Sequence, residues 1–187
     1  MLFFSVLLHE FAHSLIAKNE NIKVEEITLF FFGGVSGISD ENLKPKSEFI
    51  MSIAGPIFSL VLAFVFFVIF STSSNIFLNA LTFYLYQLNL MLGVFNLVPA
   101  FPLDGGRIFR SILYWLIGDL KKATAIAALV GKLFAWVLGL IGFLYVLKGI
   151  YSGFWLIFLS IFLYSMAGLS YEQVVIREIL LKWKVKD

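Results

Sequence analysis

Long apolar runs separated by short polar stretches dominate the chain and predict its helices. The runs cover residues 1–17, 49–70, 76–98, 123–147 and 154–168, and the last is expected to extend to residue 171. A helix needs about 20 residues, and at least roughly 17, to cross the core of a bilayer. We therefore predict an all-α polytopic membrane protein with about five transmembrane helices.

Two shorter segments break this pattern. Residues 28–38 are apolar and rich in aromatic residues and glycine, but they are too few to span. They predict a short re-entrant β-hairpin around Phe32, Gly33, Gly34 and Val35, with a hydrophobic plug or interfacial loop as the alternative. Residues 107–118 form an amphipathic stretch. Residues 1–171 are thus expected to form one membrane core, followed by a charged tail at 172–187 and no separate soluble domain.

The composition excludes an ordinary soluble domain. Of the 187 residues, 60% are hydrophobic and 14% are charged, whereas a soluble domain is about half apolar and a quarter charged. The chain has no cysteine. Disulfides and thiolate metal sites are therefore excluded, and any metal site must use His, Asp or Glu.

The basic residues indicate the orientation in the membrane. If residues 18–48 stay on one side, twelve of the fourteen Lys and Arg residues fall on that side, Lys148 falls opposite, and Lys132 lies within a span. This bias marks the crowded side as the cytoplasm and predicts a multi-pass protein of the cell membrane. The charge of the tail is too small to indicate nucleic-acid binding. Residues 1–17 lack the features of a signal peptide and are short for a first span, so a preceding helix is expected.

The two histidines of the chain stand four residues apart, in His9-Glu10-Phe11-Ala12-His13. On a helix this spacing points two nitrogen ligands at one metal and sets a carboxylate beside them as a general base. The motif lies within an apolar run, roughly 8–14 Å below the cytoplasmic boundary at 1.5 Å per residue. Ionisable groups at such depth are costly and usually functional. A buried polar cluster that holds helices together is the alternative.

A catalytic zinc site takes three protein ligands and leaves one position open. With no third histidine and no cysteine, the remaining ligand must be a carboxylate. Only Glu10 and Asp104 lie in strongly apolar surroundings, and Asp104 follows a span broken by Pro99 and Pro102 at the cytoplasmic end. We therefore predict Asp104 as the third ligand. The alternative role for Asp104 is an N-cap of the helix that follows.

Together these motifs resemble the site-2 protease family of intramembrane zinc metalloproteases. The resemblance rests on His9–His13 and Leu103-Asp104-Gly105, and is extended by Phe32-Gly33-Gly34-Val35, Ala54-Gly55-Pro56 and Phe95-Asn96-Leu97-Val98-Pro99. It implies a six-span core with an active site near the cytosolic face, so that one family helix is absent from the five predicted here.

The resemblance also implies roles for the matching residues. His9, His13 and Asp104 would bind one Zn²⁺ per chain, and Glu10 would be the general base. Asn96 is an amide in an otherwise apolar span, and this by itself predicts a hydrogen bond to substrate or oxyanion, or else to a neighbouring helix. The segment from Phe32 to Val35 would hold an unwound substrate by backbone pairing.

The sequence therefore predicts a metalloendopeptidase that cuts membrane-embedded segments of other proteins near the cytoplasmic face. Its partners would be a membrane-embedded protein substrate and the lipid bilayer. A membrane metal or ion transporter that uses the same His, Glu and Asp cluster is the main alternative, and an inactive membrane scaffold is another. Transport needs a path to both faces, whereas the polar membrane residues gather toward the cytoplasmic half.

Overall fold

The computed structural model describes the backbone of residues 2–20, 24–30, 33–38 and 44–184. Two compact units, Met1–Val98 and Pro99–Asp187, divide the chain. The first contains α1 (Leu2–Asn19), β1 (Val24–Phe30), β2 (Gly33–Ile38), α2 (Pro45–Thr72) and α3 (Ile76–Asn96). The second contains α4 (Asp104–Ile117), α5 (Leu120–Leu147) and α6 (Ser152–Lys184).

Four described helices are long and apolar enough to cross a membrane: α2, α3, α5 and the Ser152–Ile176 part of α6. The chain is an integral membrane protein. Helix α1 is not among the four, because its apolar run is interrupted by His9, Glu10 and His13. Those polar residues are buried while Phe3, Phe11 and other apolar residues of α1 are exposed, the reverse of a helix in water. The fifth span stays a prediction.

Local signals explain where several helices begin and end. The Asn75 side chain accepts hydrogen bonds from the backbone N–H groups of Phe77 and Leu78 and so caps α3. Helix α4 ends at Ile117 and is capped by Gly118, whose φ of +73° is a left-handed conformation that glycine adopts without strain. Helix α6 runs on to Lys184, so the predicted charged tail continues the last helix over most of its length.

In the first unit, α2 packs against both α1 and α3. The Asn89 amide of α3 donates to the Ser5 hydroxyl of α1 at 3.1 Å, and Asn89 is fully buried. Such a bond is a common way to join helices in lipid, where water cannot satisfy polar groups. A methyl group at Gly93 would lie 2.9 Å from Leu60 of α2, so the glycine permits close approach of α2 and α3.

The two strands of the first unit pair antiparallel, with Phe30 opposite Gly33 and Val24 opposite Ile38. Both strands approach α1. The register shifts between Val24 and Ile27. Entry of this pair into the membrane stays a prediction.

Glycines and alanines allow the helices of the second unit to approach closely. A methyl group at Gly142 of α5 would lie 2.9 Å from the backbone oxygen of Gly153 on α6. A buried core forms from Phe101 of the loop before α4, Ala127 of α5 and Ala167 of α6. The close approach of backbones replaces the hydrophobic driving force that lipid removes.

Candidate metal centre

Helix α1 carries the predicted His-Glu-His motif on its buried side. His9 is 2% exposed, His13 is 6% exposed and Glu10 is 9% exposed. Because 3.6 residues make one turn, His9 and His13 lie one above the other on the same face. The polar groups of α1 are thereby turned away from lipid and toward the protein.

The two imidazole rings meet through their Nε2 atoms, which are 3.2 Å apart. The rings are nearly perpendicular, with an interplanar angle of 77°. Their Nδ1 atoms face α2 instead. His9 Nδ1 lies 2.9 Å from the hydroxyl oxygen of Ser59, and His13 Nδ1 lies 2.7 Å from the backbone carbonyl oxygen of Met51. Helix α2 therefore binds both rings through their Nδ1 atoms, on the side opposite the Nε2 atoms.

These contacts determine which nitrogen can bind a metal. A carbonyl oxygen only accepts hydrogen bonds, so His13 Nδ1 must carry the hydrogen and donate a hydrogen bond to the Met51 carbonyl. The neutral His13 ring then has its lone pair on Nε2, which is the form that ligates metals. The Ser59 hydroxyl can accept from His9 Nδ1–H in the same way, which leaves a second lone pair on His9 Nε2.

The pair fits a zinc ion. Two nitrogens at about 2.05 Å from a tetrahedral zinc lie about 3.3 Å apart, and the observed separation of the Nε2 atoms is 3.2 Å. Two lone pairs at this distance repel each other unless a cation or a proton lies between them. Both rings are buried, and neutral imidazole is a ligand type that suits zinc.

Gly55 of α2 faces the point where the two imidazoles meet. A methyl group in its place would lie 2.6 Å from His9 Nε2 and would also collide with His13. The sequence singles out Gly55 only within the Ala-Gly-Pro motif and does not predict the contacts of Ser59 and of the Met51 carbonyl. Ser59 offered one signal, a hydroxyl within a long apolar run, but only the fold shows which residue it meets.

Asp104 is the first residue of α4 in the second unit, and its side chain is half-buried. The N-cap of α4 is Leu103, which has an extended backbone and makes no side-chain capping bond. The alternative in which Asp104 caps α4 was therefore wrong by one position. A methyl group at Gly106 would lie 2.7 Å from the backbone nitrogen of Phe101, so glycine lets the preceding loop fold tightly over the start of α4.

The remaining predicted residues lie elsewhere in the first unit. Asn96 ends α3, is half-buried, and donates from Nδ2 to the carbonyl oxygen of Leu92 in its own helix at 3.0 Å. Gly33, Gly34 and Val35 lie in β2. Phe32 lies outside the described residues.

Comparison with known proteins places this geometry in context. The model of peptidase family M50 matches residues 1–82 and 71–138. The chain is 40% identical over 189 residues to Zinc metalloprotease MJ0392 of Methanocaldococcus jannaschii, covering 100% of this chain and 53% of that protein. It is 39% identical over 181 residues to the sll0528 protein of Synechocystis sp., covering 95% of this chain and 48% of that protein. The chain thus spans about half the length of these relatives.

A solved structure is also similar to this fold. The site-2 protease from Methanocaldococcus jannaschii matches with a TM-score of 0.70 and 39% sequence identity. The match covers 91% of this chain and 75% of that one. The resemblance drawn from the motifs is confirmed by this match and by the family model.

Proposed function

The chain belongs to peptidase family M50, and from this membership we propose that it acts as an intramembrane zinc endopeptidase. Its substrates would be membrane-embedded segments of other proteins, cut near the cytoplasmic face to release a fragment or clear a remnant. The observation that carries this proposal is the buried pair of imidazoles on α1, whose Nε2 atoms lie 3.2 Å apart with their Nδ1 atoms held by α2.

We propose that His9, His13 and Asp104 hold one zinc ion. The two imidazoles supply two ligands, and a catalytic site requires a third protein ligand. The chain contains no cysteine and no further histidine, so the third ligand is a carboxylate. Asp104 stands in an apolar part of the sequence, in a Leu-Asp-Gly motif that the resemblance assigns to metal binding.

Glu10 would be the general base of the reaction. When bound, zinc activates water toward attack and polarises the scissile carbonyl. The Glu10 carboxylate would take a proton from the attacking water and deliver it to the nitrogen that leaves as the C–N bond breaks. Its position supports this role, because Glu10 is adjacent to the proposed ligand His9 on α1 and, at 9% exposed, is shielded from bulk water.

Two further elements would position the substrate. A helical substrate must unwind before cleavage, and a strand edge can hold the unwound backbone. In the described chain the sheet has two strands, so each has one edge that no other described strand occupies. We propose that the edge at Gly33, Gly34 and Val35 binds substrate, since β2 approaches α1. Asn96 keeps a second Nδ2 hydrogen that would donate to substrate or oxyanion.

The bias of twelve Lys and Arg residues against one supports a site on the cytoplasmic side of a multi-pass protein of the cell membrane. The transporter alternative gains no support, because the family and its named relatives are peptidases.

The test is cleavage of single-span proteins in proteoliposomes, with and without a zinc chelator, together with measurement of bound zinc. Glu10→Gln is expected to keep zinc and lose at least about 10²-fold in cleavage rate, the lower end of what general acid–base catalysis contributes. His9→Ala and Asp104→Ala are expected to lose both.

Glu20→Gln is the matched control, since Glu20 is an exposed carboxylate whose recorded partner is the Ser47 hydroxyl. It should keep full activity. Full cleavage by Glu10→Gln would overturn the assignment of the base, and zinc transport without cleavage would restore the transporter.

A further inference from the structure

We propose that Ser59 and Gly55 of α2 are positioning residues of the metal centre. Ser59 would fix the ring of His9 in its metal-binding tautomer, and Gly55 would keep the space beside both Nε2 atoms free for the ion. This inference rests on the proposed function, because it concerns the same zinc site.

The face of α2 that meets the histidines repeats every four residues. Met51, Gly55 and Ser59 stand at i, i+4 and i+8 and therefore lie along one side of the helix. Met51 contacts His13, Ser59 contacts His9, and Gly55 faces both rings. Because α1 and α2 run antiparallel, the two histidines of α1 contact three residues along one face of α2.

Ser59 is suited to fix the orientation of His9. Its side chain is fully buried, and its hydroxyl oxygen lies 2.9 Å from His9 Nδ1. When that oxygen accepts a hydrogen bond from His9 Nδ1–H, the lone pair of the ring lies on Nε2 and the hydrogen bond fixes the orientation of the ring. Without the hydroxyl, the buried Nδ1–H loses its acceptor, and the opposite tautomer, which cannot ligate through Nε2, becomes competitive.

Gly55 would act in this site because it has no side chain. A methyl group there would lie 2.6 Å from both His9 Nε2 and His13 Cε1, closer than carbon and nitrogen can approach. It would collide with both rings and push apart the two nitrogens that would bind the ion. Pro56, the next residue, removes the hydrogen bond that the helix would otherwise give to the Ser52 carbonyl. The Ser52 carbonyl is next in the chain to the Met51 carbonyl, which accepts the hydrogen bond from His13 Nδ1.

The experiment measures zinc affinity by competition with a chromophoric chelator, using the full chain in detergent micelles. Ser59→Ala is expected to weaken zinc binding roughly 10- to 100-fold, the usual effect of losing an outer-shell partner. Ser59→Thr keeps a hydroxyl and should recover most of that loss. Gly55→Ala should weaken zinc binding at least as much as Ser59→Ala, because its methyl group would collide with both ligand rings. Cobalt absorption spectra of the same proteins report whether the ligand geometry changes.

Two controls separate positioning from general packing. Ser160→Ala removes a buried hydroxyl on α6 whose recorded partner is the Ile157 carbonyl, and zinc affinity should stay unchanged. Gly142→Ala adds a methyl group 2.9 Å from the backbone oxygen of Gly153, where α5 meets α6, so it should lower the melting temperature and leave zinc affinity intact. Melting temperatures are measured with chelator present, so that they report the stability of the zinc-free protein. A variant that loses zinc affinity through unfolding is thereby recognised by its lowered melting temperature.

The outcomes distinguish this inference from the function on which it rests. If the unaltered chain binds no zinc and cleaves nothing, the proposed function fails. If it binds zinc and cleaves, but Ser59→Ala and Gly55→Ala bind as tightly, only the positioning roles are overturned. Loss of affinity in Ser59→Ala that Ser59→Thr does not recover, with the apo melting temperature of Ser59→Thr unchanged, would also overturn the role of the hydroxyl.

Discussion

The hydrogen bond between Asn89 and Ser5 should contribute a small, measurable coupling between α3 and α1. We consider a double-mutant cycle of Ser5→Ala, Asn89→Ala and the pair. The Asn89 Nδ2 group gives one hydrogen to the Leu85 carbonyl of its own helix at 2.8 Å and the other to Ser5 at 3.1 Å. Only the second bond joins two helices, so the cycle isolates it.

The expected coupling is about 0.6 kcal/mol and at most about 1.7 kcal/mol, the range measured for polar bonds between membrane helices. Each single variant is expected to cost more than the coupling. Ser5→Ala leaves a buried N–H without its acceptor, worth about 1–3 kcal/mol, and Asn89→Ala leaves a cavity. Asn89→Ala also removes a buried Oδ1 atom that has no hydrogen-bond partner among the described residues, which offsets part of that cost.

The assay is reversible unfolding in mixed micelles titrated with dodecyl sulfate and followed by circular dichroism. A coupling below about 0.3 kcal/mol, within the usual error of additivity, would refute a direct bond. A coupling well above the range, or loss of cleavage in Asn89→Ala with the fold intact, would show that Asn89 does more than join helices.

Three further outcomes are expected. Gly142→Ala should destabilise the chain by about 1–3 kcal/mol, because its methyl group would lie 2.9 Å from the backbone oxygen of Gly153. Gly168→Ala should cost little in the same unfolding assay, because the nearest atom, on the Lys132 side chain, is 3.7 Å away. The hydrogen bond from the Lys122 backbone N–H lowers the pKa of Asp119. The stabilising effect of the Asp119 carboxylate is therefore present above the ordinary pKa of an aspartate and is lost as the pH falls through the lowered value. Asp119→Asn should remove this pH dependence of the melting temperature. Free zinc at 100 times its Kd should raise the unfolding free energy by about 2.7 kcal/mol over chelated protein, and no shift would contradict a zinc site formed only by the folded chain.

The sequence predicted the elements that depend on local pattern. Helices α2, α3 and α5 lie close to the runs 49–70, 76–98 and 123–147, because long apolar runs in lipid have few alternatives to a helix. The meeting of His9 and His13 also followed from spacing alone. The chemical role of these side chains stays a prediction.

Other features depend on contacts between distant residues. Ser59 stands 50 positions from His9 and Met51 stands 38 from His13, and no periodicity within α2 indicates that α1 packs there in that register. The alternative N-cap role of Asp104 was wrong for a different reason. The turn before α4 sets the helix start one residue earlier than the apolar pattern shows, and assignments at helix ends commonly vary by that much.

The two ring contacts between α1 and α2 also restrict how the protein can move. Turning α1 by one residue rotates its side chains by about 100°, and sliding it by one turn shifts them by about 5.4 Å. Either displacement separates His9 from Ser59 and His13 from Met51 at the same time. A motion that preserves both contacts therefore has to carry α1 and α2 together as one rigid pair. Cross-linking these two helices through introduced cysteines should accordingly leave turnover intact.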